Sequence, residues 1–314
     1  MNLDYTLWAA FGTLVFAALA VDLGICQRKA HVVRPKEALA WSIVWVLLAL
    51  LFNAGIWYAK GGDAAGEFLA GYLVEKSLSV DNLFVFLVIF SWFAIPKEYE
   101  ARILLWGVLG ALVLRAIFVF AGAALLERFH WMIYVFGGLL VLTGIKMLVK
   151  KEEGGGAERN PLVRLLRKLL PVAPAYHGDR FFVRLEGRRF VTPLFLALVV
   201  VEFTDVIFAV DSIPAVFAVT RAPFIVLTSN VFALLGMRSL YFLLSDANGL
   251  FRFLKYGLVL ILWFVGAKML LAGVVKIPIS LSLAVVGSIL AGSIGLSMWI
   301  RPRIPCSPEP PLRL

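Results

Sequence analysis

Acidic residues inside apolar stretches occur in two short strings that follow the same pattern. In each string, an acid is followed six residues later by a second acid, which an amide or hydroxyl side chain directly follows. A carboxylate at the centre of a bilayer costs at least about 2.5–3.5 kcal/mol, so such residues persist where they pair, titrate or bind an ion. Their oxygen atoms are hard ligands that suit Mn²⁺, Mg²⁺ or Ca²⁺. The candidate ligands are Glu75, Asp81 and Asn82 in the first string, Asp205, Asp211 and Ser212 in the second, and Glu202 one turn before the second string.

The composition indicates that a membrane surrounds these acids. Of the 314 residues, 61% are hydrophobic and 16% are charged, and the mean hydropathy is +0.92. Soluble domains are nearer half apolar, and each long apolar run here approaches the roughly 20 residues that cross a bilayer. The predicted fold is therefore an all-α integral membrane protein with about nine transmembrane helices. The predicted spans are 7–26, 39–59, 68–94, 101–125, 131–149, 191–219, 224–245, 251–272 and 279–300.

The basic residues of the loops predict how the chain is oriented. With these spans, most loop Lys and Arg residues fall on one side of the membrane. Cytoplasmic loops are rich in Lys and Arg, so the N-terminus is expected outside and the C-terminus in the cytoplasm. The net charge of +10 is attributed to this asymmetry and not to nucleic-acid binding. The first span lacks a preceding basic region, so it is expected to be a retained helix and not a signal peptide.

The acidic strings belong to a longer repeat. Two further pairs of charged residues recur at a similar spacing, Arg115 with Arg238 and Lys146 with Lys268. Spans three to five and six to eight are therefore predicted to be two copies of a three-helix unit. Because three is odd, the copies form an inverted repeat, which in secondary transporters places the substrate site near the midplane between the copies. The predicted divisions are 1–67 (two N-terminal transmembrane helices), 68–149 (first repeat), 150–190 (cytoplasmic basic linker), 191–272 (second repeat) and 273–314 (last transmembrane helix and cytoplasmic tail).

The charged residues outside the strings have predicted roles in charge neutralisation or gating. Arg115 and Arg238 are expected to neutralise carboxylates that have released an ion. Lys146 and Lys268 lie near helix ends, where long side chains reach toward the interface. Asp22, near the cytoplasmic end of the first span, suits a gating role as well as ligation. Two other interpretations of the acids stay open: structural ion pairs with the arginines, and a proton relay without a metal.

Helix geometry sets one condition on a cation site. Each residue of a helix turns by about 100°, so Glu75 and Asn82 share a face, whereas Asp81 points about 120° away from Glu75. Either the helix unwinds near the second acid of each string, or the two acids make different contacts. Pro214 favours unwinding in the sixth span, because a proline leaves the carbonyl of Val210 without its helical hydrogen bond.

The histidines and cysteines argue against an enzyme with a buried cofactor. His31, His130 and His177 lie in or beside loops, so no imidazole is expected at mid-membrane to hold a haem or zinc. Cys26 and Cys306 have no CxxC partner, which excludes a disulfide framework and a thiolate metal site. No catalytic residue and no prosthetic group are therefore predicted.

The linker is the one sizeable soluble segment. Asn160-Pro161 is predicted to begin a basic amphipathic helix on the inner membrane surface. A small hairpin is predicted to turn at Glu186-Gly187. A lipid-anchored connector without chemistry of its own is the preferred interpretation.

Three strings resemble the TerC family, and most closely its Alx branch. They are VEKSLSVDNLFVF at 74–86, FFVRLEGRRFVTPLFLALVVVEFTDVIFAVDSIPAVFAVT at 181–220 and TSNVFALLGMRSLYFLL at 228–244. The resemblance covers about residues 5–300. It implies a multi-pass protein of the bacterial inner membrane, similar in fold to the LysE-type exporters and linked to tellurite resistance, pH response and manganese export. It also implies that the seven candidate ligands are the acidic motifs of the family.

The residues and the resemblance together predict a secondary transporter that exports Mn²⁺, or Ca²⁺ or Mg²⁺, from the cytoplasm. Mn²⁺ rests on the resemblance, because all three ions take oxygen ligands. Proton antiport through the same carboxylates would supply the energy that export against the membrane potential requires. The expected partners are the bilayer, the metal ion and protons. Two alternatives are a membrane-bound redox modulator or scaffold, as has been proposed for the Alx branch, and a sensor of pH or metal that transports nothing.

Overall fold

The computed structural model consists of helices and one short hairpin. It describes residues 3–26, 34–129, 131–149, 161–185, 187–246, 254–271, 273–274 and 277–299. Predictions that concern His31, His130, Asn160, Glu186 and Cys306 lie outside these residues. The helices are α1 (Leu3–Cys26), α2 (Pro35–Lys60), α3 (Gly62–Trp92), α4 (Lys97–Arg128), α5 (Met132–Val149), α6 (Pro161–Leu169), α7 (Pro193–Phe217), α8 (Pro223–Leu235), α9 (Met237–Asp246), α10 (Leu254–Leu270) and α11 (Ile279–Trp299). The hairpin pairs β1 (Phe182–Leu185) with β2 (Arg188–Val191).

The helices confirm an all-α integral membrane protein. Six stretches are long and apolar enough to cross a bilayer, within the described residues: Pro35–Lys60, Lys97–Arg128, Met132–Val149, Pro193–Phe217, Pro223–Ser245 and Ser280–Ser297. Shorter apolar stretches lie in α1 and α10. α3 is 31 residues long but carries Glu75, Lys76 and Asp81 in its apolar part. The membrane class is thus confirmed, whereas the count of nine spans is not.

Helices of one predicted repeat pack against helices of the other. α3 runs parallel to α8, and α4 runs parallel to α7, whereas α3 and α7 are antiparallel. α7 corresponds to α3 in the repeat, and α8 corresponds to α4. Exchange of the two copies therefore turns the α3–α8 contact into the α7–α4 contact. The contacts that define the directions are Gly71–Ser229 and Lys76–Ala233 for α3 with α8, Gly107–Val201 and Gly122–Phe217 for α4 with α7, and Gly71–Val216 and Glu67–Thr220 for α3 with the end of α7.

The third helices of the copies, α5 and α10, cross at two glycines. A Cβ atom on Gly137 would come within 3.0 Å of the Gly266 carbonyl oxygen, and one on Gly266 within 2.9 Å of the Gly137 carbonyl oxygen. Farther along α5, Gly144 lies against Trp263, which precedes Gly266 in α10, so the two helices are antiparallel. Antiparallel third helices are what an inverted repeat requires.

The predicted span 224–245 is two helices and not one. α8 ends at Leu235 and α9 begins at Met237, with Gly236 between them. A Cβ atom on Gly236 would lie 2.6 Å from Lys76 Nζ and 3.2 Å from Trp45 Cβ, so a larger residue would displace the ammonium and press on Trp45. The Lys76 ammonium donates to the carbonyl of Ala233 over 3.3 Å, which places a cation at the negative end of α8.

The expected unwinding at Pro214 was wrong. α7 continues as a helix from Pro193 through Pro214 to Phe217. Pro214 removes one hydrogen bond, the one to the carbonyl of Val210, and the helix continues across this point. The second acids of the strings therefore lie on unbroken helices, which leaves the alternative that they make different contacts from the first acids.

The linker contains the predicted helix and hairpin and docks on the bundle. Tyr176 donates its hydroxyl to the carbonyl of Phe93 over 2.5 Å, and burial raises the pKa of Tyr176, which keeps it a neutral donor. Arg102 at the start of α4 pairs with Asp179, and its guanidinium lies 5.4 Å from the centre of the Phe181 ring. The hairpin turns at Gly187, whose φ of +77° favours glycine. The linker is thus fixed to the ends of α3 and α4.

Candidate functional site

A buried arginine joins acids of both repeats in the middle of the bundle. Arg115 of α4 has no exposed surface, and neither has Glu75 of α3. The guanidinium donates through Nη1 to the Glu75 carboxylate and, over 2.9 Å, to the side-chain oxygen of Asn230 on α8. Its Nη2 lies 3.6 Å from Asp205 Oδ1 on α7. The amide of Asn230 donates back to Glu75 Oε2 over 3.2 Å, which closes the network.

The charges of this network do not cancel. One guanidinium stands between two carboxylates, so the described cluster has a net charge of −1 when Glu75 and Asp205 are ionised. Removal of one partner from a buried ion pair costs about 3–5 kcal/mol, because the remaining charge is left uncompensated. Loss of the arginine would therefore be costly, and the net negative charge of the cluster favours a further cation.

Several buried polar atoms near this level have no hydrogen-bond partner among the described residues. Buried polar groups are normally hydrogen-bonded, so each exception needs an explanation. Four of these atoms are oxygens from α3 and α7, and two are donors of Arg115 itself. They are Ser79 Oγ, Asn82 Nδ2, both carboxylate oxygens of Asp205, Ser212 Oγ, and Nε and Nη2 of Arg115.

The antiparallel register of α3 and α7 places the two acidic strings level with each other. Counted from the contact between Gly71 and Val216, Asn82 lies eleven residues along α3 and Asp205 eleven residues back along α7. The same register puts the Glu75 level opposite Ser212. Each acid is thus level with the amide or hydroxyl of the other copy, as the pseudo-twofold relation of an inverted repeat predicts.

Glu202 of α7 lies against α4. Its carboxylate occupies the space that a side chain at Gly110 would take, so the two could be present together only if the carboxylate moved. Glu202 is half-buried, whereas Asp205, one turn later, is buried. Glu202 is therefore the more accessible of these two acids of α7.

The other predicted residues are dispersed. The side chains of Asp22, Asp81 and Asp211 lie outside the described part of the structure, so their predicted contacts stay predictions. The remaining three are found in different environments: Arg238 is half-buried in the first turn of α9, Lys146 is exposed on α5, and Lys268 donates to Ser282 Oγ of α11 over 2.9 Å.

Of the two predicted arginines, the structure brings Arg115 to the acids. Arg115 contacts acids from both copies, and its sequence counterpart Arg238 lies in α9, beyond Gly236. Asn230 was not predicted, although it is fully buried in an apolar helix. Its place in the string TSNVFALLG was the available indication, because a buried amide needs a partner.

Among the described residues, no group of three or more His, Cys, Asp and Glu side chains is arranged to hold a metal ion. Mn²⁺, Mg²⁺ and Ca²⁺ also accept hydroxyl and amide oxygens. The seven-residue ligand set stays a prediction.

The fold and the cluster define a multi-pass α-helical membrane protein with a charged network between its halves. The chain belongs to the TerC family, because the profile described as "Integral membrane protein TerC family" matches residues 60–304. This confirms the resemblance drawn from the acidic strings.

Similar proteins cover almost the whole chain. The chain is 52% identical over 292 residues to the uncharacterised membrane protein STKORF319 of Myxococcus xanthus, covering 93% of this chain and 92% of that protein. It is 49% identical to Alx of Salmonella typhi, described as a candidate membrane-bound redox modulator, over 94% of both chains. The protein of the same name in Escherichia coli strain K12 is 48% identical over 95% of both. No solved structure matches the chain.

Proposed function

We propose that this protein is a secondary transporter that exports a divalent cation, Mn²⁺ in the first place, from the cytoplasm of a bacterium through the site between its two repeats. The observation that carries the proposal is the excess of buried carboxylates over cations at Arg115, to which Glu75 and Asp205 of the two repeats contribute, together with the unbonded buried hydroxyl oxygens of Ser79 and Ser212 on the same two helices. Such atoms are the hard ligands that these ions prefer. Manganese itself rests on the family resemblance.

The charge of the network supports binding of a divalent ion. Glu75 and Asp205 exceed the single positive charge of Arg115, so an ion that arrives beside Asp205 meets a negative site. The same guanidinium repels the ion and compensates the carboxylates after the ion has left. Binding and release are then two states of one network, in which Arg115 and the ion alternate as the partner of Asp205.

Proton exchange completes the cycle. Export of a positive charge against a negative-inside potential costs about 2.3 kcal/mol per charge for each 100 mV. Carboxylates that release a cation outward can return protonated, which removes charge from the return step. Coupling would therefore be seen as Mn²⁺ movement driven by an imposed pH gradient.

Purified protein in proteoliposomes tests the proposal. Asp205→Asn keeps the size of the side chain and removes its charge, and Glu127→Gln does the same at an exposed position at the end of α4. We expect the first variant to lose Mn²⁺ flux while the second retains it, with both inserted normally. Equal flux from both variants would contradict the site, and absence of flux for Mn²⁺, Mg²⁺ and Ca²⁺ in the unaltered protein would contradict transport.

A second candidate function is a membrane-bound redox modulator, which the descriptions of the Alx relatives favour. It predicts a bound chromophore or a reactive thiol in the purified protein. A visible absorption band, or a change of redox state in partner proteins without ion flux, would support it. Mn²⁺ flux by the purified protein in liposomes that contain no redox partner would favour transport over this second function.

A further inference from the structure

The linker helix α6 and the hairpin are joined to each other and to the start of α7. Val191, at the end of β2, donates its N–H to the carbonyl of Pro171 over 2.9 Å, and Ala173 donates to the carbonyl of Val191 over 2.8 Å. The ring centre of Phe182 on β1 lies 4.9 Å from that of Phe195 in the first turn of α7. Because α7 is long and apolar enough to cross the bilayer, the linker is held where this helix enters the membrane.

The helix α6 has more apolar surface than the bundle covers. Its inner face packs Val163 and Leu166 against the core. Leu165 and Leu169 are four residues apart, so they share one edge of the helix, and they keep 52% and 69% of their surface exposed. Phe182 on the neighbouring strand is 61% exposed. An exposed apolar edge on a basic helix is typical of helices that lie in the headgroup region of a membrane.

The same two elements carry an excess of positive charge. Residues 161–192 contain seven Lys and Arg residues but two acids, and one of the acids, Asp179, pairs with Arg102 of α4. Arg184 and Arg189 are directly opposite each other on the two strands, where like charges destabilise a hairpin. A bound anion would remove this repulsion. The exposed cations of α6 and of the hairpin are Arg164, Arg167, Lys168, Arg184, Arg188 and Arg189.

We propose that α6 and the hairpin together form a binding surface for anionic phospholipids. Leu165, Leu169 and Phe182 enter the headgroup region, and the exposed arginines and the lysine bind the phosphate groups. The loop charges predict that the linker lies on the cytoplasmic side, where the leaflet carries anionic lipids. The sequence predicted a helix on the membrane surface. The structure adds the hairpin as a second element, and the opposed arginines favour a negatively charged headgroup over a neutral one. This surface does not depend on the proposed transport function.

The full-length protein in lipid nanodiscs tests this preference. Nanodiscs of phosphatidylcholine alone are compared with nanodiscs that also contain phosphatidylglycerol, and hydrogen exchange in α6 and in the hairpin is followed by mass spectrometry. We expect exchange to be slower with phosphatidylglycerol, and we expect high salt to remove the difference, because salt screens exposed charges.

The variant R184Q/R189Q removes two charges from the hairpin. The slowing by phosphatidylglycerol should fall about fivefold for each charge removed. In phosphatidylcholine alone, the same variant should exchange more slowly than the unaltered protein, because the repulsion between the strands is relieved. The matched control is R128Q/R221Q, which removes two exposed charges at the opposite end of α4 and after α7 and should keep the full slowing.

The variant L165Q/L169Q tests the apolar edge separately. Glutamine is a good helix former, so faster exchange in α6 reports the lost contact with lipid and not a weaker helix. We expect this faster exchange in both kinds of nanodisc, with the melting temperature of the bundle unchanged because both leucines are exposed. Unchanged exchange in α6 would contradict insertion of this edge.

Other results would overturn the preference for anionic lipid. Equal exchange of the unaltered protein in the two kinds of nanodisc would show that the headgroup charge is not recognised, and an acidic protein partner would then fit the surface better. Equal slowing by inorganic phosphate added to phosphatidylcholine nanodiscs would indicate a site for free anions. Loss of the slowing in R128Q/R221Q as well would reduce the effect to the total charge of the protein.

Discussion

Arg115 has contacts in both halves of the protein, so its loss should be felt at Glu75 and Asp205 together. Arg115→Met keeps a long apolar side chain and leaves two carboxylates without their cation. We expect a loss of about 3–5 kcal/mol in stability, seen as a lower melting temperature in detergent. Added Mn²⁺ should raise the melting temperature of this variant more than that of the unaltered protein, because ligand binding stabilises the folded state. Arg221→Met, at an exposed position, is the control; equal melting of the two variants would contradict the role of Arg115.

Asn230 contacts both charged partners through one amide. Asn230→Leu has a similar volume but leaves Arg115 Nη1 and Glu75 Oε2 each short of a hydrogen bond, which should cost about 1–3 kcal/mol. Ser229→Ala is a suitable comparison, because Ser229 is equally buried yet bonds to Val226 in its own helix. Thermal unfolding of the two variants distinguishes them, and a smaller effect at Asn230 than at Ser229 would count against the network.

The residue types in the sequence predicted three members of this network. Glu75, Asp205 and Arg115 stood out because charges are costly inside a membrane, so their presence required partners. Asn230 did not stand out, because an uncharged amide costs far less to bury and its partners belong to a distant helix. Tertiary contacts, which sequence spacing does not contain, decide which arginine serves which acid.

At the scale of elements, the break between α8 and α9 is a matter of space. The φ of Gly236 is −82°, which any residue can adopt, so the glycine is required by its neighbours Lys76 and Trp45. We expect Gly236→Ala to cost about 1–3 kcal/mol through overpacking. The double variant G236A/K76M should cost less than the sum of the two single variants, because the methionine has no charge to hold at the helix end. Strict additivity in thermal melts would show that Lys76 and Gly236 are not coupled.

The hairpin of the linker contains an unfavourable pair. Arg184 and Arg189 are directly opposite on β1 and β2, and both are exposed. Like charges at such positions destabilise a hairpin, so Arg189→Gln should stabilise the linker by about 0.2–1 kcal/mol. Limited proteolysis at low salt measures this, and Arg164→Gln on α6 is the control. Faster cleavage of the Arg189 variant would show that Arg189 has a favourable partner in the docked linker.

Sequence periodicity predicted these elements unevenly. Pro161 and Gly187 have strong local preferences, so α6 and the hairpin turn were found where they were expected. The break at Gly236 was missed because an isolated glycine inside an apolar run is compatible with a continuous helix. Pro214 had the opposite effect, since its local preference suggested an unwinding that the packing of α7 does not need.

For the whole molecule, the helix directions agree with the inverted repeat, and the loop charges predict the orientation in the membrane. We expect a green fluorescent protein fused after residue 314 to be fluorescent, because that reporter folds in the cytoplasm, and one fused before residue 1 to be dark. An alkaline phosphatase reporter should give the reverse pattern. Fluorescence from both fusions would place both termini in the cytoplasm. That result would require an even number of spans and would contradict an N-terminus outside.

The glycine crossing of α5 and α10 has a consequence for how such a sequence can change over time. Gly137 and Gly266 each fill the space beneath the other's carbonyl, so an added methyl group on either one pushes against backbone that cannot turn aside. One glycine belongs to each of the two predicted repeats. At this crossing, neither repeat can acquire a larger residue unless the other helix moves with it. Correlated substitution between the two repeats should therefore be strongest here.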